Sequence, residues 1–325
     1  MGRLRSPVVI VALAGGVGAA RMLVGLASVV EPASRITAVI NTGDDLVLHG
    51  LHISPDMDTV TYTLAGAISR AQGWGLEGET WHAMEALERY RGQTWFRLGD
   101  RDLATHLYRT QRLTEGATLT EVTAEIAQAW NVGPRLLPMS DDPVATRVTL
   151  ASEADGDTAN EISFQEYFVG RQHAVAVSAV RFAGAGSAKP APGVLDAIAD
   201  AECVVICPSN PIVSIGPLLA VPGIADAVHA RRDDTIAVSP IIAGAALKGP
   251  ADRLMRELGH ESTVVGVARI YAPYAACLVI DDADEALAPE VEAAGMRAVV
   301  ASTVMSGPAE AAALGAVVLA AAAST

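Results

Sequence analysis

Hydrophobic and polar positions along this chain follow two alternating patterns. Val8–Leu13, Ile36–Ile40, Cys203–Cys207, Thr235–Val238, Thr263–Val267, Ala276–Ile280 and Ala298–Ala301 are apolar runs of strand length without polar alternation. Such runs predict strands buried on both faces, as in a parallel sheet. Between them, Ala19–Val30, Val194–Asp200, Ile224–Arg231, Pro250–Leu258 and Ala283–Ala294 have the spacing of crossover helices, and Ala311–Ala323 reads as a packed C-terminal helix. Strands alternating with helices in this order predict a doubly wound sheet.

The middle of the chain breaks the pattern. From about Ser69 to Gln128 it turns helical and polar, and all four tryptophans (Trp74, Trp81, Trp95, Trp130) lie in or just beyond this stretch. The expected organisation is an α/β core, a Rossmann-like doubly wound, mainly parallel sheet built from residues 1–68 and 136–325. Residues 69–135 would form a mostly helical insertion capping the active site. Arg147–Leu150, Ile162–Phe164 and Val175–Val180 predict antiparallel strands, with Asp155-Gly156-Asp157 as a turn signal.

Charge narrows the choice of partners. The net charge of −14 over 325 residues excludes a nucleic-acid polymer, which needs a basic footprint. It leaves room for a single nucleotide. Alanine supplies roughly a fifth of the chain. Three cysteines (Cys203, Cys207, Cys277) cannot all pair, and an odd set in apolar runs reads as reduced thiols in a cytoplasm. Arg3 and Arg5 before the apolar Pro7–Ala14 imitate a signal peptide, but that run leads directly into a glycine turn. The alanine-rich tail is too short to span a bilayer, so no membrane partner is expected.

Four segments carry chemistry. Val9–Ala14 enters Gly15-Gly16-Val17-Gly18 and then a helix, an arrangement that brings backbone N–H groups to a phosphate. Arg21 stands where a dinucleotide fingerprint has its third glycine, and no Walker lysine follows, so a tight turn needed only for packing is the alternative. Asn41-Thr42-Gly43-Asp44-Asp45 and Pro55-Asp56-Met57-Asp58 place four aspartates just after the second predicted strand, with His49 and His52 between them. Carboxylates so concentrated call for a hard divalent cation on phosphates, although Asp45 or Asp58 can equally cap a helix. Pro208-Ser209-Asn210-Pro211, with Ser214, and Ser239-Pro240 end two later strands. These stiff polar loops suit a base edge or a phosphate, or serve simply as rigid turns. In the insertion, Arg97 and Arg101 flank a segment in which Asp100 or Asp102 is placed to cap the helix entering at Leu103. Lys189 and Lys248 are the only lysines, so a cationic phosphate clamp would be arginine or metal.

These motifs resemble the 2-phospho-L-lactate transferase family of coenzyme F420 biosynthesis. The resemblance rests on Gly15–Gly18, Gly43-Asp44-Asp45, Ser54–Thr59, Leu98–His106, Leu137–Pro143 and Pro208–Asn210 with Ser214–Pro217, in order over nearly the whole chain. It implies a transferase without a protein nucleophile. The deazaflavin Fo presents its ribityl hydroxyl to the distal phosphorus of a guanosine diphosphate ester of lactate or enolpyruvate. The products are (dehydro)F420-0 and GMP, and Mg²⁺ is required. Phosphoryl transfer of this kind is mostly positioning and charge stabilisation. Carried over by motif, Gly15, Gly16 and Gly18 would face phosphate, and Asp44, Asp45 and Asp58 would hold the metal. Asp45 and Asp58 would be catalytic, by holding the metal or by orienting the Fo hydroxyl. Arg97 would lie against Fo, Ser209 and Asn210 on the guanosine side, with Asn41, Arg101, Ser214 and Ser239 as further substrate contacts. Arginine in place of lysine, and abundant alanine, suit the enolpyruvyl type of actinobacteria. A homodimer is the expected assembly. Two rivals share parts of the pattern. One is a non-catalytic UDP-sugar-binding regulatory protein of the related gluconeogenesis-factor family, which the Asp100–His106 segment disfavours. The other is an NAD(P)-dependent oxidoreductase, which the missing third glycine disfavours.

Overall fold

The computed structural model describes residues 9–69, 72–151 and 161–323. Arg3, Arg5 and the Asp155–Asp157 turn signal lie outside them. The first half runs β1 (Ile10–Ala14), α1 (Gly16–Val29), β2 (Ile36–Ile40), a hairpin of β3 (Leu46–Leu48) and β4 (Leu51–Ile53), and α2 (Pro55–Leu64). Helices α3 (His82–Arg89), α4 (Asp102–Thr114) and α5 (Leu119–Ala129) follow, and β5 (Arg135–Pro138) returns to the sheet. Next, β6 (Ala145–Leu150), β7 (Glu161–Ser163) and β8 (Val177–Ala183) form a small antiparallel sheet of their own. The second half contains α6 (Val194–Asp200), β9 (Cys203–Ile206), α7 (Gly216–Ala220), α8 (Ile224–Ala230) and β10 (Thr235–Val238). It continues with a two-residue ladder, β11 (Ile241–Ile242) and β12 (Ala245–Ala246), then α9 (Ala251–Glu257) and α10 (Val264–Tyr271). The last elements are β13 (Cys277–Ile280), α11 (Ala288–Ala293), β14 (Arg297–Val300) and α12 (Pro308–Ala322).

Seven strands make one sheet in the order β14-β13-β10-β9-β1-β2-β5, every pairing parallel. Side chains alternate across it into two cores. Val11 and Leu13 of β1 join Val204, Ile206 and Leu278 on one face, whereas Ile10, Ala12 and Ala14 join Cys203, Val205 and Val279 on the other. This two-sided burial explains why the strands read as unbroken apolar runs. All three cysteines are free and buried, and burial pushes the Cys203 and Cys207 thiols up to about 12, which makes them inert packing groups. The C-terminal helix packs against α1 so closely that a Cβ on Gly25 would lie 2.0 Å from the Ala311 carbonyl oxygen. No single helix among the described residues is long and apolar enough to cross a membrane.

One predicted strand is a helix. Thr263–Val267 opens α10, where the Thr263 hydroxyl accepts the Gly266 N–H at 3.2 Å as an N-cap. Val264 through Ala268 are all buried, and a helix apolar all round has the same short-window pattern as a buried strand. The chain departs from the sheet axis at one place that matters for ligands. β1 pairs with β2 on one side and β9 on the other, so the winding reverses there and a crevice opens at the strands' carboxyl ends.

Candidate active site

A cavity of about 840 Å³ occupies that crevice. Gly15–Gly18 after β1, Pro208–Asn210 after β9 and Ser239–Pro240 after β10 form its floor. Pro55–Thr59 of α2 and Trp95–Arg97, between α3 and α4, face them, and Phe164 and Phe168 close a third side. With Trp74 and Tyr62 also lining it, the cavity gathers six aromatic rings in a chain with only 4% aromatics. Flat apolar walls with a few convergent polar groups are the usual make-up of a small-molecule site.

The glycines at the floor are required by their neighbours. A Cβ on Gly18 would lie 2.1 Å from the Pro208 carbonyl oxygen, and one on Gly15 would lie 2.8 Å from Ser214 Cβ. The β1 and β9 loops thus touch across the switch point. Gly16 has φ +73°, and its backbone N–H hydrogen-bonds the Asp56 carboxylate. In the β9 loop, Asn210 Oδ1 accepts the N–H groups of Ile212 and Val213 at 2.9 and 3.3 Å. That fixes the amide and leaves its Nδ2 buried without a partner, beside an equally unpartnered Ser209 Oγ. Unpartnered buried donors at a cavity wall are what a polar ligand would satisfy. Ser239 differs: its hydroxyl donates to the Ile241 carbonyl and accepts the Ile241 N–H, so it holds a turn.

Two acidic groups meet the cavity. The first surrounds Asn41, whose Nδ2 donates to Asp56 Oδ2 at 2.9 Å and whose Oδ1 accepts the Gly43 N–H at 2.8 Å. Asn41 therefore sits behind the floor as a brace. Asp44 and Asp56 are buried, and Asp45 receives the Ser54 hydroxyl at 2.6 Å. Burial, and then the charges of Asp56 and Asp45, push the Asp44 carboxyl well up. Burial does the same to Asp45, and raises Asp56 from 3.8 to about 6. One oxygen each of Asp44 and Asp45 is buried with no hydrogen-bond partner. Asp44 lines both the large cavity and an adjoining one of about 310 Å³, which Asp45 lines as well.

The second group is a polar seam between α2 and α4. Asp58 and Tyr62 lie one turn apart on α2. Asp102, Thr105, His106 and Arg109 recur at helical spacing on the facing side of α4. Arg109, 1% exposed, grips Asp58 with both terminal nitrogens, one to Oδ1 and the other to Oδ2 at 3.1 Å. The same guanidinium lies 3.3 Å from His106 Nδ1 and donates to the His52 carbonyl at 3.3 Å. His106 Nε2 lies 3.4 Å from Asp102 Oδ2, and the Tyr62 hydroxyl reaches Asp102 Oδ1 at 2.6 Å. Burial alone would raise Asp102, but the hydrogen bond and charge of His106, the Tyr62 hydroxyl and Arg109 outweigh it and hold the carboxyl below its ordinary range. Asp58, Asp102 and His106 place ligand atoms within 4.8 Å of one another, so the group could hold a metal. It already contains a cation of its own.

The segment preceding α4 is built by reciprocal capping. Asp100 accepts the N–H groups of His82 and Ala83 at 2.9 and 3.0 Å, so it caps α3. Glu79 accepts those of Arg101 and Asp102 at 2.8 and 2.9 Å, so it caps α4. The sequence-based assignment of that cap to Asp100 or Asp102 fails because the capping acid comes from more than twenty residues upstream. Capping by Glu79 leaves Asp102 free to face the cavity.

Of the candidate residues, Gly15, Gly16, Gly18, Asp44, Asp58, Arg97, Ser209, Asn210, Ser214 and Ser239 line the large cavity. Arg97 stacks its guanidinium 4.5 Å over the Trp81 ring. Asn41, Asp45 and Arg101 do not line it. Arg101 is exposed, and its side chain donates to the Glu77 carbonyl. His49 occupies the β3–β4 turn at φ +55°. Asp58 belongs to the seam, and its charge also acts on Asp45. The pattern did not reveal Arg109, Tyr62 or Glu79. Counting i+4 and i+7 from Asp102 along α4 would have found His106 and Arg109 on one face.

A family model described as 2-phospho-L-lactate transferase CofD matches residues 10–315. A phosphoenolpyruvate transferase of Kitasatospora aureofaciens is 50% identical over 289 residues, 88% of this chain and 89% of that protein. One of Streptomyces griseus is 48% identical over 290 residues, 89% of this chain and 90% of its own length. A solved UPF0052-family protein from Bacillus halodurans superposes with a TM-score of 0.60 at 15% identity, covering 95% of this chain and 98% of that one. At that identity the likeness speaks for the fold alone.

Proposed function

The chain belongs to the 2-phospho-L-lactate transferase CofD family, and from that premise we propose the reaction and the roles of its residues. It is an enzyme, a transferase of coenzyme F420 biosynthesis. The group transferred is phosphoenolpyruvyl, as the names of relatives near half identity suggest. The donor is its guanosine diphosphate ester, the acceptor is the ribityl hydroxyl of Fo, and GMP leaves. The observation that carries this reading is the meeting, at one cavity, of unpartnered donors on Ser209 and Asn210 with an unpartnered carboxylate oxygen on Asp44, beside an adjoining cavity where Asp45 keeps another.

Those two sets suit opposite ends of one ligand. The Ser209 hydroxyl and Asn210 amide would bind the nucleotide portion of the donor. Buried carboxylates that repel one another and retain free oxygens fit a hard cation, so Asp44 and Asp45 would hold Mg²⁺. Bound there, Mg²⁺ would neutralise charge on the diphosphate. The seam suits a metal less, because Arg109 already compensates Asp58. The ring system of Fo would lie against Trp95, Phe96 and Phe168, with Arg97 beside it. The Fo hydroxyl oxygen attacks the distal phosphorus, the bond from that phosphorus to the bridging oxygen breaks, and the bridging oxygen leaves on GMP. Asp58 orients the hydroxyl and accepts its proton. Residues 69–135 cap this site as an insertion into the core. The buried free thiols suit a reducing cytoplasm, and the proposed assembly is a homodimer.

The test is incubation of the protein with Fo, Mg²⁺ and either guanosine diphosphate ester, followed by mass analysis. The expected result is GMP and a phosphodiester-linked deazaflavin from the enolpyruvyl donor. Conversion of the lactyl ester alone would reassign the donor, and no product from either would overturn the reading.

A further inference from the structure

We propose that Arg109 is the positioning residue for Asp58, holding its carboxylate in the orientation that serves the transfer without itself touching substrate. The proposal rests on the reading of Asp58 given above. Its basis is geometric. Arg109 does not line the cavity, whereas Asp58 does, and the guanidinium contacts both carboxylate oxygens from behind. A planar fork meeting a carboxylate in this way fixes the plane of the acid as well as its charge. The remaining neighbours of the guanidinium also hold it in place: the His52 carbonyl of β4 and His106 Nδ1 one turn back on α4. Three elements therefore fix one acid: α2 carries it, α4 supplies the fork, and β4 anchors the fork.

The arrangement couples the insertion to the chemistry. Arg109 comes from a helix that lies outside the parallel sheet, and Asp58 from the helix that follows the β3–β4 hairpin. Tyr62 and Asp102 make the parallel connection one turn away. If α4 shifts, the Asp58 carboxylate turns with it. Displacement of a reacting group by about 1 Å can cost a factor of about 10² in rate.

The experiment compares Arg109→Lys, Asp58→Asn and the double variant in the transfer assay. Arg109→Gln is carried alongside in case lysine does not fold. Lysine keeps the charge and removes the fork. The expected result for Arg109→Lys is a kcat lowered by about 10- to 100-fold, KM for Fo and for the donor within about threefold, and a normal magnesium-dependent shift in melting with GDP. The double variant is expected to be no slower than Asp58→Asn alone, because a residue that acts through another adds nothing once that other is gone. Wild-type kcat in Arg109→Lys would overturn the proposal, as would a raised KM at unchanged kcat. A double variant slowed by the full product of the two single effects would also overturn it. Wild-type protein that releases no GMP would overturn the underlying reading instead, so the two failures are distinguishable.

Discussion

Two acidic groups border the same cavity and are compensated in opposite ways. Asp44 and Asp56 are held by Asn41 and a backbone N–H, both neutral donors, and Asp45 by the Ser54 hydroxyl with the charge of Arg109 acting on it from the seam; burial pushes all three carboxyls upward. Asp58 and Asp102 are equally removed from water, yet Arg109, His106 and Tyr62 surround them, and Asp102 is held down. Buried charge is tolerated only when paired or hydrogen-bonded. In the seam the carboxylates face protein cations, although His106 Nε2 keeps no hydrogen-bond partner, whereas Asp44 and Asp56 rely on neutral donors. Acidity alone therefore does not mark a metal site. The distinction lies in whether the protein supplies the counter-charge.

The sharpest way to break this contrast is to remove the anion from the seam. Asp58→Asn strands the Arg109 guanidinium in the interior, and breaking such a buried pair costs about 3–5 kcal/mol. It also removes the proposed proton acceptor, a role worth about 10²–10⁴ in rate. The variant is expected to melt well below wild type in calorimetry and to release GMP at least about a hundredfold more slowly. Near-normal melting would mean that the pair is not buried charge against charge, and near-normal turnover would remove the role given to Asp58.

The two groups should also answer pH with opposite signs. Asp56 titrates near 6 in the folded protein against an ordinary 3.8, so the folded state holds a proton that the unfolded chain has released. Stability from this group is complete below about 4 and is lost as pH rises through about 6, at about 1.4 kcal/mol for each unit between the two values. Asp44 and Asp45 act in the same direction. Asp102, held low, contributes stability above its ordinary value and loses it as pH falls through its lower folded value. Melting curves from pH 4.5 to 7.5 in a chelator should therefore fall with rising pH, and saturating Mg²⁺ should flatten them by favouring the ionised cluster. Identical profiles with and without Mg²⁺ would place the cation elsewhere.

The same contrast explains which parts of the molecule were legible in the sequence. The sheet could be read because strands buried on both faces write their environment directly as apolar runs. Thr263–Val267 misled because a fully buried helix writes the same short pattern. The aspartates of the Asn41 cluster stand close together in the chain, so their mutual repulsion follows from spacing alone. The seam could not be read that way, because Arg109 and Asp58 are separated by 51 positions and meet only when α4 docks on α2. The Gly15–Gly18 loop was found, but what requires glycine at two of its positions is contact with Pro208 and Ser214, nearly two hundred residues away.

Arginine at the start of α4 and arginine within it give the mildest test. The sequence made Arg101, with Arg97, a candidate phosphate ligand, since it lies in the family-like segment and lysines are only two. Its side chain instead reaches the Glu77 carbonyl in solvent, while its backbone N–H meets Glu79. Arg101→Ala keeps that backbone cap and loses one exposed hydrogen bond. Substitutions of this kind change stability by no more than about 0.5 kcal/mol. Melting and turnover of Arg101→Ala are expected to match wild type, while Arg109→Lys, further along the same helix, loses kcat. Should Arg101→Ala raise KM for the donor severalfold, the arginine would have to swing into the cavity when substrate binds, and charge outside the seam would then belong to the site.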